Sequence, residues 1–368
     1  MRGSHPTAEP RTRSRGEHLM IDHNGLEPGI RAWLARIDDL QVQFPLAAPG
    51  DFPARRERDR RLSDALAAEF VAPPDPRAEL SDIEFPGVDG HAPLFARRIR
   101  PRGVDGPLPT QLFLHGGGFV SGTARELLND AVMSERSAAA GVQIISLDYR
   151  LAPEHPYPAA VEDALSVLQA LYTAADPWGV DPWRLGIGGS SAGGHIAAVT
   201  ALRVRDACRA DPTCPSLAHM LLEVPALDLS VDWPSMRAFA EPAELQAALA
   251  VAAVYRGAED PGPYLNPSRV GDLSGLPRTL VMTAQFDALR DAAEAFVHRI
   301  THAGVDGRLR RGAGQLHGTS GLTAAVASSR DWQEAAIEEL RTGLVGFDSA
   351  TAADEEDPSH TADASPLR

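Results

Sequence analysis

The stretch Leu185-Gly186-Ile187-Gly188-Gly189-Ser190-Ser191-Ala192-Gly193-Gly194-His195-Ile196 decides how this chain folds. A short apolar run leads into G-x-S-x-G, and an apolar helical pattern follows, so the segment predicts a strand, a sharp turn bearing Ser191, and a helix. Glycines suit such a hairpin because close packing at its flanks leaves room for little beyond hydrogen. The serine then stands in a strained conformation with Oγ exposed. Beneath it the helix N-terminus offers unpaired amides and a partial positive charge, so the Ala192 N–H is placed to donate to a developing oxyanion. Taken alone, the hexapeptide also fits a glycine-rich turn with an incidental serine.

Outward from this stretch, short apolar runs alternate with longer helical patterns. Candidate strands cover residues 111–114, 142–147, 185–188, 220–224, 279–283 and 307–310. This alternation predicts an α/β fold with a mostly parallel sheet and crossover helices, whose chemistry sits in the loops at the carboxyl ends of the strands. Before the first strand, Ile30, Trp33, Leu34, Ile37 and Leu40 recur at helical spacing. A second helix is expected over 56–70, and a helical insertion over 234–255 ends before the Gly- and Pro-rich stretch 257–267. The expected organisation is a disordered N-terminus (1–17), N-terminal helices that contribute to a cap (18–75), a catalytic domain (76–345, cap insertion about 231–257) and a disordered acidic tail (346–368). His195, on the nucleophile helix, is expected to pack under the sheet.

A serine hydroxyl is a weak nucleophile until a base takes its proton. After the run ending near Thr283 comes Gln285-Phe286-Asp287-Ala288-Leu289-Arg290-Asp291, and after the last run comes Gly314-Gln315-Leu316-His317-Gly318. Asp287 follows the strand first and is the candidate to orient His317; Asp291 reads as a loop brace or an arginine partner, with the reverse assignment left open. Upstream, His115-Gly116-Gly117-Gly118-Phe119 follows the first apolar run, as an oxyanion loop would. Gly117 and Gly118 are the expected amide donors alongside Ala192. His115, Gly116, Ser190 and Asp291 are read as support, with His115 a hydrogen-bonding brace of its loop.

Composition closes several alternatives. All 35 basic residues are arginine. Without lysine there is no Ser-Lys catalysis, Schiff-base chemistry or P-loop. A net charge of -15 repels phosphate backbones and anionic lipid, so nucleic acid is not an expected partner, and small neutral or cationic substrates fit better. No apolar run of about 18 residues is present to span a bilayer. The stretch 1–17 carries four arginines without an apolar core, which argues against a secretory signal and for a cytoplasmic protein. Cys208 and Cys214 read as reduced thiols, with a local disulfide as the alternative. His298 and His302, four apart on a helical pattern, lack a third metal ligand. The reading calls for no metal and no cofactor.

These motifs resemble those of the hormone-sensitive-lipase-like esterases, a bacterial branch of the α/β-hydrolases. The likeness rests on His115-Gly-Gly-Gly-Phe119, Asp148-Tyr-Arg-Leu-Ala-Pro-Glu-His-Pro-Tyr-Pro158, Gly189 to Gly194, Asp272-Leu-Ser-Gly-Leu-Pro277, Asp287-Ala-Leu-Arg-Asp291 and His317-Gly318, and it spans residues 84–340. Ser191, Asp287 and His317 follow the α/β-hydrolase order of nucleophile, acid and base. The resemblance implies an eight-stranded, mostly parallel sheet flanked by helices, a helical cap, and cofactor-free hydrolysis of short- or medium-chain carboxylic esters, with a small-molecule ester as partner and a homodimer as one assembly. Two positions depart from the family pattern. Ser190 stands where aspartate is usual, and Thr319, where phenylalanine is usual, is expected to reshape the pocket beside His317. The same residues leave open amide, lactone, acyl-transfer or non-hydrolytic chemistry in secondary metabolism. They also leave open a ligand-binding module, since plant gibberellin receptors look like this family but lack the histidine that is retained here as His317.

Overall fold

The apolar runs become the middle of one sheet. The computed structural model describes residues 25–346 other than 212, 213, 215, 231 and 259. Its strands are β1 (Ala78–Phe85), β2 (Leu94–Pro101), β3 (Leu108–Leu114), β4 (Gln143–Leu147), β5 (Val180–Ser190), β6 (His219–Glu223), β7 (Arg278–Phe286) and β8 (Gly307–Leu316). They run in the order β1-β2-β4-β3-β5-β6-β7-β8. Every ladder from β4 across to β8 is parallel, and only β1–β2 and β2–β4 are antiparallel. β3, β4 and β6 are buried along their whole length, as parallel strands covered on both faces must be.

The expected strand set omits β1 and β2, for a physical reason. They are half-buried antiparallel strands whose outward positions carry Glu79, Asp82, Arg97 and Arg100, so no apolar run marks them. Their charges pair across the ladder instead: Asp82 lies opposite Arg97 and bonds it at 2.7 Å, and Glu79 lies opposite Arg100.

Among the described residues ten α-helices accompany the sheet: α1 (Pro28–Gln43), α2 (Phe52–Phe70), α3 (Leu127–Ala140), α4 (Ala159–Thr173), α5 (Ala175–Trp178), α6 (Ala192–Ala210), α7 (Pro234–Phe239), α8 (Pro242–Arg256), α9 (Arg290–His302) and α10 (Ala327–Leu340). α4, α6 and α9 pack Val161, Leu168, Ile196, Leu202 and Phe296 on one face of the sheet; α3 and α10 pack Met133, Trp332 and Leu340 on the other. A third cluster joins Ile30, Leu40, Leu66 and Phe70 of α1 and α2 to Leu322 and Val326, just beyond His317. The N-terminal helices are thereby seated on the loop that carries the histidine.

Boundaries differ from expectation where capping decides them. α2 begins at Phe52, because Asp51 accepts the Ala54 amide at 3.0 Å with Pro53 in the first turn. The insertion expected over 234–255 is two helices, since Ala240 and Glu241 are extended and Pro242 opens a new helix with a Glu241/Glu244 capping box. No disulfide joins Cys208 and Cys214. Among the described residues no helix is long and apolar enough to cross a membrane. The expected disordered segments, 1–17 and all but the first residue of 346–368, lie outside the described residues.

Candidate active site

Ser191 sits where β5 turns into α6. Its backbone holds φ 55° and ψ -114°, a left-handed conformation that costs about 1–3 kcal/mol for a residue with a side chain. The turn is locked from both sides. The Ser191 amide donates to Glu223 O at 2.9 Å, and the Ser191 carbonyl accepts from the Ala226 and His195 amides at 3.1 Å each. Gly193 allows α6 to sit against β3: a Cβ there would lie 2.0 Å from the Leu114 carbonyl oxygen.

His317 follows β8, and Asp287 follows β7. The His317 Nε2 lies 3.0 Å from Ser191 Oγ and its Nδ1 lies 2.9 Å from Asp287 Oδ2. Because an ionised carboxylate only accepts, the Nδ1–H points at Asp287 and leaves the Nε2 lone pair for the serine hydroxyl. Asp287 is only 2% exposed, and its other oxygen accepts the Leu289 amide at 2.9 Å. Burial alone would push the His317 imidazole down; the charge of Asp287 and its hydrogen bond outweigh this and raise its pKa above 6.5. Asp291 faces elsewhere, accepting the Ser235 amide at 2.8 Å and pairing with Arg290, so it ties α9 to the start of α7.

The His115–Phe119 loop lies across the serine. Gly117 adopts φ 127°, and a Cβ there would come within 2.0 Å of the Ser121 carbonyl oxygen. Gly116, Gly117 and Gly118 line one cavity with Ser191 and His317, while Gly118 and Ala192 line a second with Ser191. His115 is 1% exposed, donates through Nδ1 to Gly116 O at 2.7 Å and stacks on Tyr149, whose hydroxyl donates to His115 O at 2.8 Å. Arg56 of α2 donates to Val120 O (2.8 Å), just past this loop, and to Ala152 O (2.9 Å) in the loop after β4. Phe119 stacks on Tyr255 at the end of α8, with ring centroids 3.8 Å apart. His195 is fully buried on α6: its ring meets Phe119 and Tyr255 edge-on and its Nδ1 donates to Ala226 O at 2.9 Å.

Thr319 lines neither cavity at Ser191. It is fully buried and turned back on its own loop, where its hydroxyl accepts the Leu316 amide at 3.0 Å and contacts Gln315 and Leu316 O. Ser190 lines the larger cavity, and its register partner is Glu223 on β6. That carboxylate takes both terminal nitrogens of Arg136 at 2.7 Å and the Trp332 indole N–H at 2.7 Å. Burial opposes its ionisation, but the Arg136 charge holds it below the usual carboxylate range. Arg136 also donates to Gln333, and Gln333 donates to Ser320 O, so the buried pair reaches the histidine loop. Reading the sequence for motifs passes over this network. A glutamate inside the apolar run Leu221-Leu222-Glu223-Val224 was its one visible signal, because a charge in a buried strand requires a partner.

The two cavities that meet at Ser191 differ in character. The larger, about 490 Å³, includes His317, Ser190, Asp59, Glu126, Arg136 and Glu223 in its wall. The smaller, about 280 Å³, lies under α8 and is lined by Phe119, Leu229, Met236, Val251 and Leu289 among others. His302 Nδ1 donates to His298 O at 2.6 Å, a contact along the helix. Among the described residues no group of three or more His, Cys, Asp or Glu is arranged to hold a metal ion.

A family model described as alpha/beta hydrolase fold matches residues 111–320. The chain is 33% identical over 347 residues to Carboxylic ester hydrolase LipN of Mycobacterium tuberculosis, covering 92% of this chain and 89% of that protein. A structure titled Bacterial Heroin Esterase superposes with TM-score 0.72 at 31% identity, over 84% of this chain and 97% of its own. An alpha/beta hydrolase enzyme from the metagenome of Lake Arreo, Spain, superposes with TM-score 0.76 at 31% identity, over 88% and 100%. With the strand order, the serine turn and these similarities together, the chain belongs to the α/β-hydrolase family, in its hormone-sensitive-lipase-like branch.

Proposed function

We propose that this protein hydrolyses carboxylic esters through an acyl-enzyme on Ser191. The observation that carries the reading is the unbroken hydrogen-bonded line from Ser191 Oγ through His317 to Asp287, at 3.0 and 2.9 Å. His317 Nε2 takes the hydroxyl proton as Oγ attacks the ester carbonyl, and Asp287 stabilises the imidazolium that forms. The amides of Gly117, Gly118 and Ala192 receive the oxyanion, where loss of one donor typically costs about 3 kcal/mol of transition-state stabilisation. When the tetrahedral intermediate collapses, the C–O bond to the alcohol breaks and His317 returns its proton to the departing oxygen. Water then attacks the acyl-serine by the same route and releases the acid. Besides the substrate and water, the steps use only groups of this chain. In this reading α1, α2, α7 and α8 form the cap over the two cavities.

The test is intact-protein mass after exposure to a fluorophosphonate, with turnover of short-chain p-nitrophenyl esters measured in parallel, on the native sequence and on Ser191→Ala. One adduct and ester turnover, both abolished by Ser191→Ala, is the expected result. An adduct without turnover redirects the same nucleophile to amide, lactone, acyl-transfer or non-hydrolytic chemistry. Neither adduct nor turnover leaves a binding module.

A further inference from the structure

The ester reading fixes which cavity takes which half of the substrate. The alcohol oxygen must leave within reach of the His317 ring, because that ring returns the proton. Of the two cavities, His317 lines the larger and not the smaller. The alcohol arm therefore occupies the larger cavity, and the acyl chain lies in the apolar one beneath α8.

The larger cavity has four ionisable side chains in its wall besides His317: Asp59, Glu126, Arg136 and Glu223. Three have counter-charges. Arg136 and Glu223 neutralise each other, and Asp59 pairs with Arg58 at 2.9 Å and Arg55 at 3.5 Å. Glu126 differs. Among the described residues no cation forms an ion pair with it; its one side-chain donor is the Ser63 hydroxyl, at 2.8 Å. Asp64, which accepts the Leu127 amide next door, adds negative potential that Arg60 offsets only in part, from an exposed position. Burial pushes the Glu126 carboxyl up and the Asp64 charge adds to this, while the His115 ring and the Ser63 hydroxyl pull the other way without cancelling it. A partly buried carboxylate facing a substrate cavity is best satisfied by a cation arriving with the substrate. The surplus negative charge of the whole chain draws cations toward the protein as well.

We infer that the alcohol arm of the substrate carries an alkylammonium group that pairs with Glu126, making Glu126 a specificity residue of this site. The inference rests on the ester-hydrolase reading above, and the test separates the two. Butyrate esters of ω-trimethylammonio alcohols, with linkers of two to five methylenes, are compared with neutral esters in which tert-butyl replaces trimethylammonium. Shape is held constant and charge changes. Measured at pH 8, kcat/KM should favour the cationic ester by about tenfold or more at the best linker length. Glu126→Gln keeps an acceptor for Ser63 and should bring the ratio close to one. Neutral esters favoured at every length, or a cation preference that survives in Glu126→Gln, would overturn the inference while leaving ester hydrolysis intact. So would a preference that follows the ammonium when it is moved to the acyl arm, in ethyl esters of ω-trimethylammonio acids. No turnover of any ester, with no Ser191 adduct, would overturn the hydrolase reading and this inference with it.

Discussion

Two histidine loops, each following a strand of the same sheet, close on Ser191, and they show how surroundings divide similar side chains between chemistry and support. His317 leaves 43% of its side chain exposed, faces Ser191 Oγ on one side and buried Asp287 on the other, and is held above its ordinary pKa by that carboxylate. His115 is 1% exposed, with Nδ1 spent on Gly116 O, its ring stacked on Tyr149 and its Nε2 3.6 Å from Asp148. A third histidine, His195, is pushed down to about 4 by burial and stays neutral against the Ala226 carbonyl. The ring that can exchange a proton with a substrate is the one whose Nε2 faces the serine hydroxyl, with a route to solvent and a carboxylate to stabilise its charge.

The comparison breaks most directly at the histidines themselves. His317→Ala should lower kcat by about 10⁴- to 10⁶-fold, read from ester turnover at saturating substrate. Asp287→Asn should cost about 10⁴-fold, because the ring loses its preferred tautomer. It should also move the acid limb of the kcat/KM profile. Catalysis needs neutral His317, whose pKa is raised by Asp287, so the native limb lies above pH 6.5 and should shift to lower pH once the charge is gone. The sign for stability is the opposite. The protonated pair adds stability below the unfolded histidine pKa and loses it as pH rises through the higher folded value.

Gly117→Ala tests the other loop through its backbone. The added Cβ would collide with the Ser121 carbonyl, so kcat should fall about 10²- to 10³-fold as the donor geometry is lost, a split visible when kcat and KM are measured separately. The smallest expected effect is His115→Gln. If His115 only braces its loop, kcat should stay within about tenfold of native, while the melting temperature drops by a few degrees for a lost buried hydrogen bond. A collapse as deep as that of His317→Ala would erase the distinction between the two loops.

Much of this site is legible in one dimension because it is built from local devices. A nucleophile turn needs glycines at fixed offsets, an oxyanion loop needs consecutive glycines, and both sit directly after apolar strands. Asp287 and His317 likewise follow strands, and parallel strands deliver their C-terminal loops to one edge, so the structure brings the named residues together. The residues that escape notice depend on contacts distant in sequence. Arg136 meets Glu223 across 87 positions, Gln333 carries their network to the histidine loop, and Arg56 holds Val120, next to the His115–Phe119 loop, from a helix 64 residues away. β1 and β2 are missed because cross-strand charge pairs, not apolar runs, define them.

By itself the sequence determined the α/β class, the strand–serine–helix turn and the order of serine, carboxylate and histidine, since each follows from neighbouring residues and short-range sterics. Tertiary structure alone decided that Thr319 turns away from the pocket, that Glu223 and Arg136 form a buried pair beside Ser190, and that α1 and α2 seat on the histidine loop. It also decided that Glu126 lines the larger cavity at Ser191 with no ion pair among the described residues. The physical reason is common to these features. The charge balance and shape of a cavity are sums over side chains from α2, α3, β6 and α10, and only the folded arrangement of those elements fixes which groups face one another.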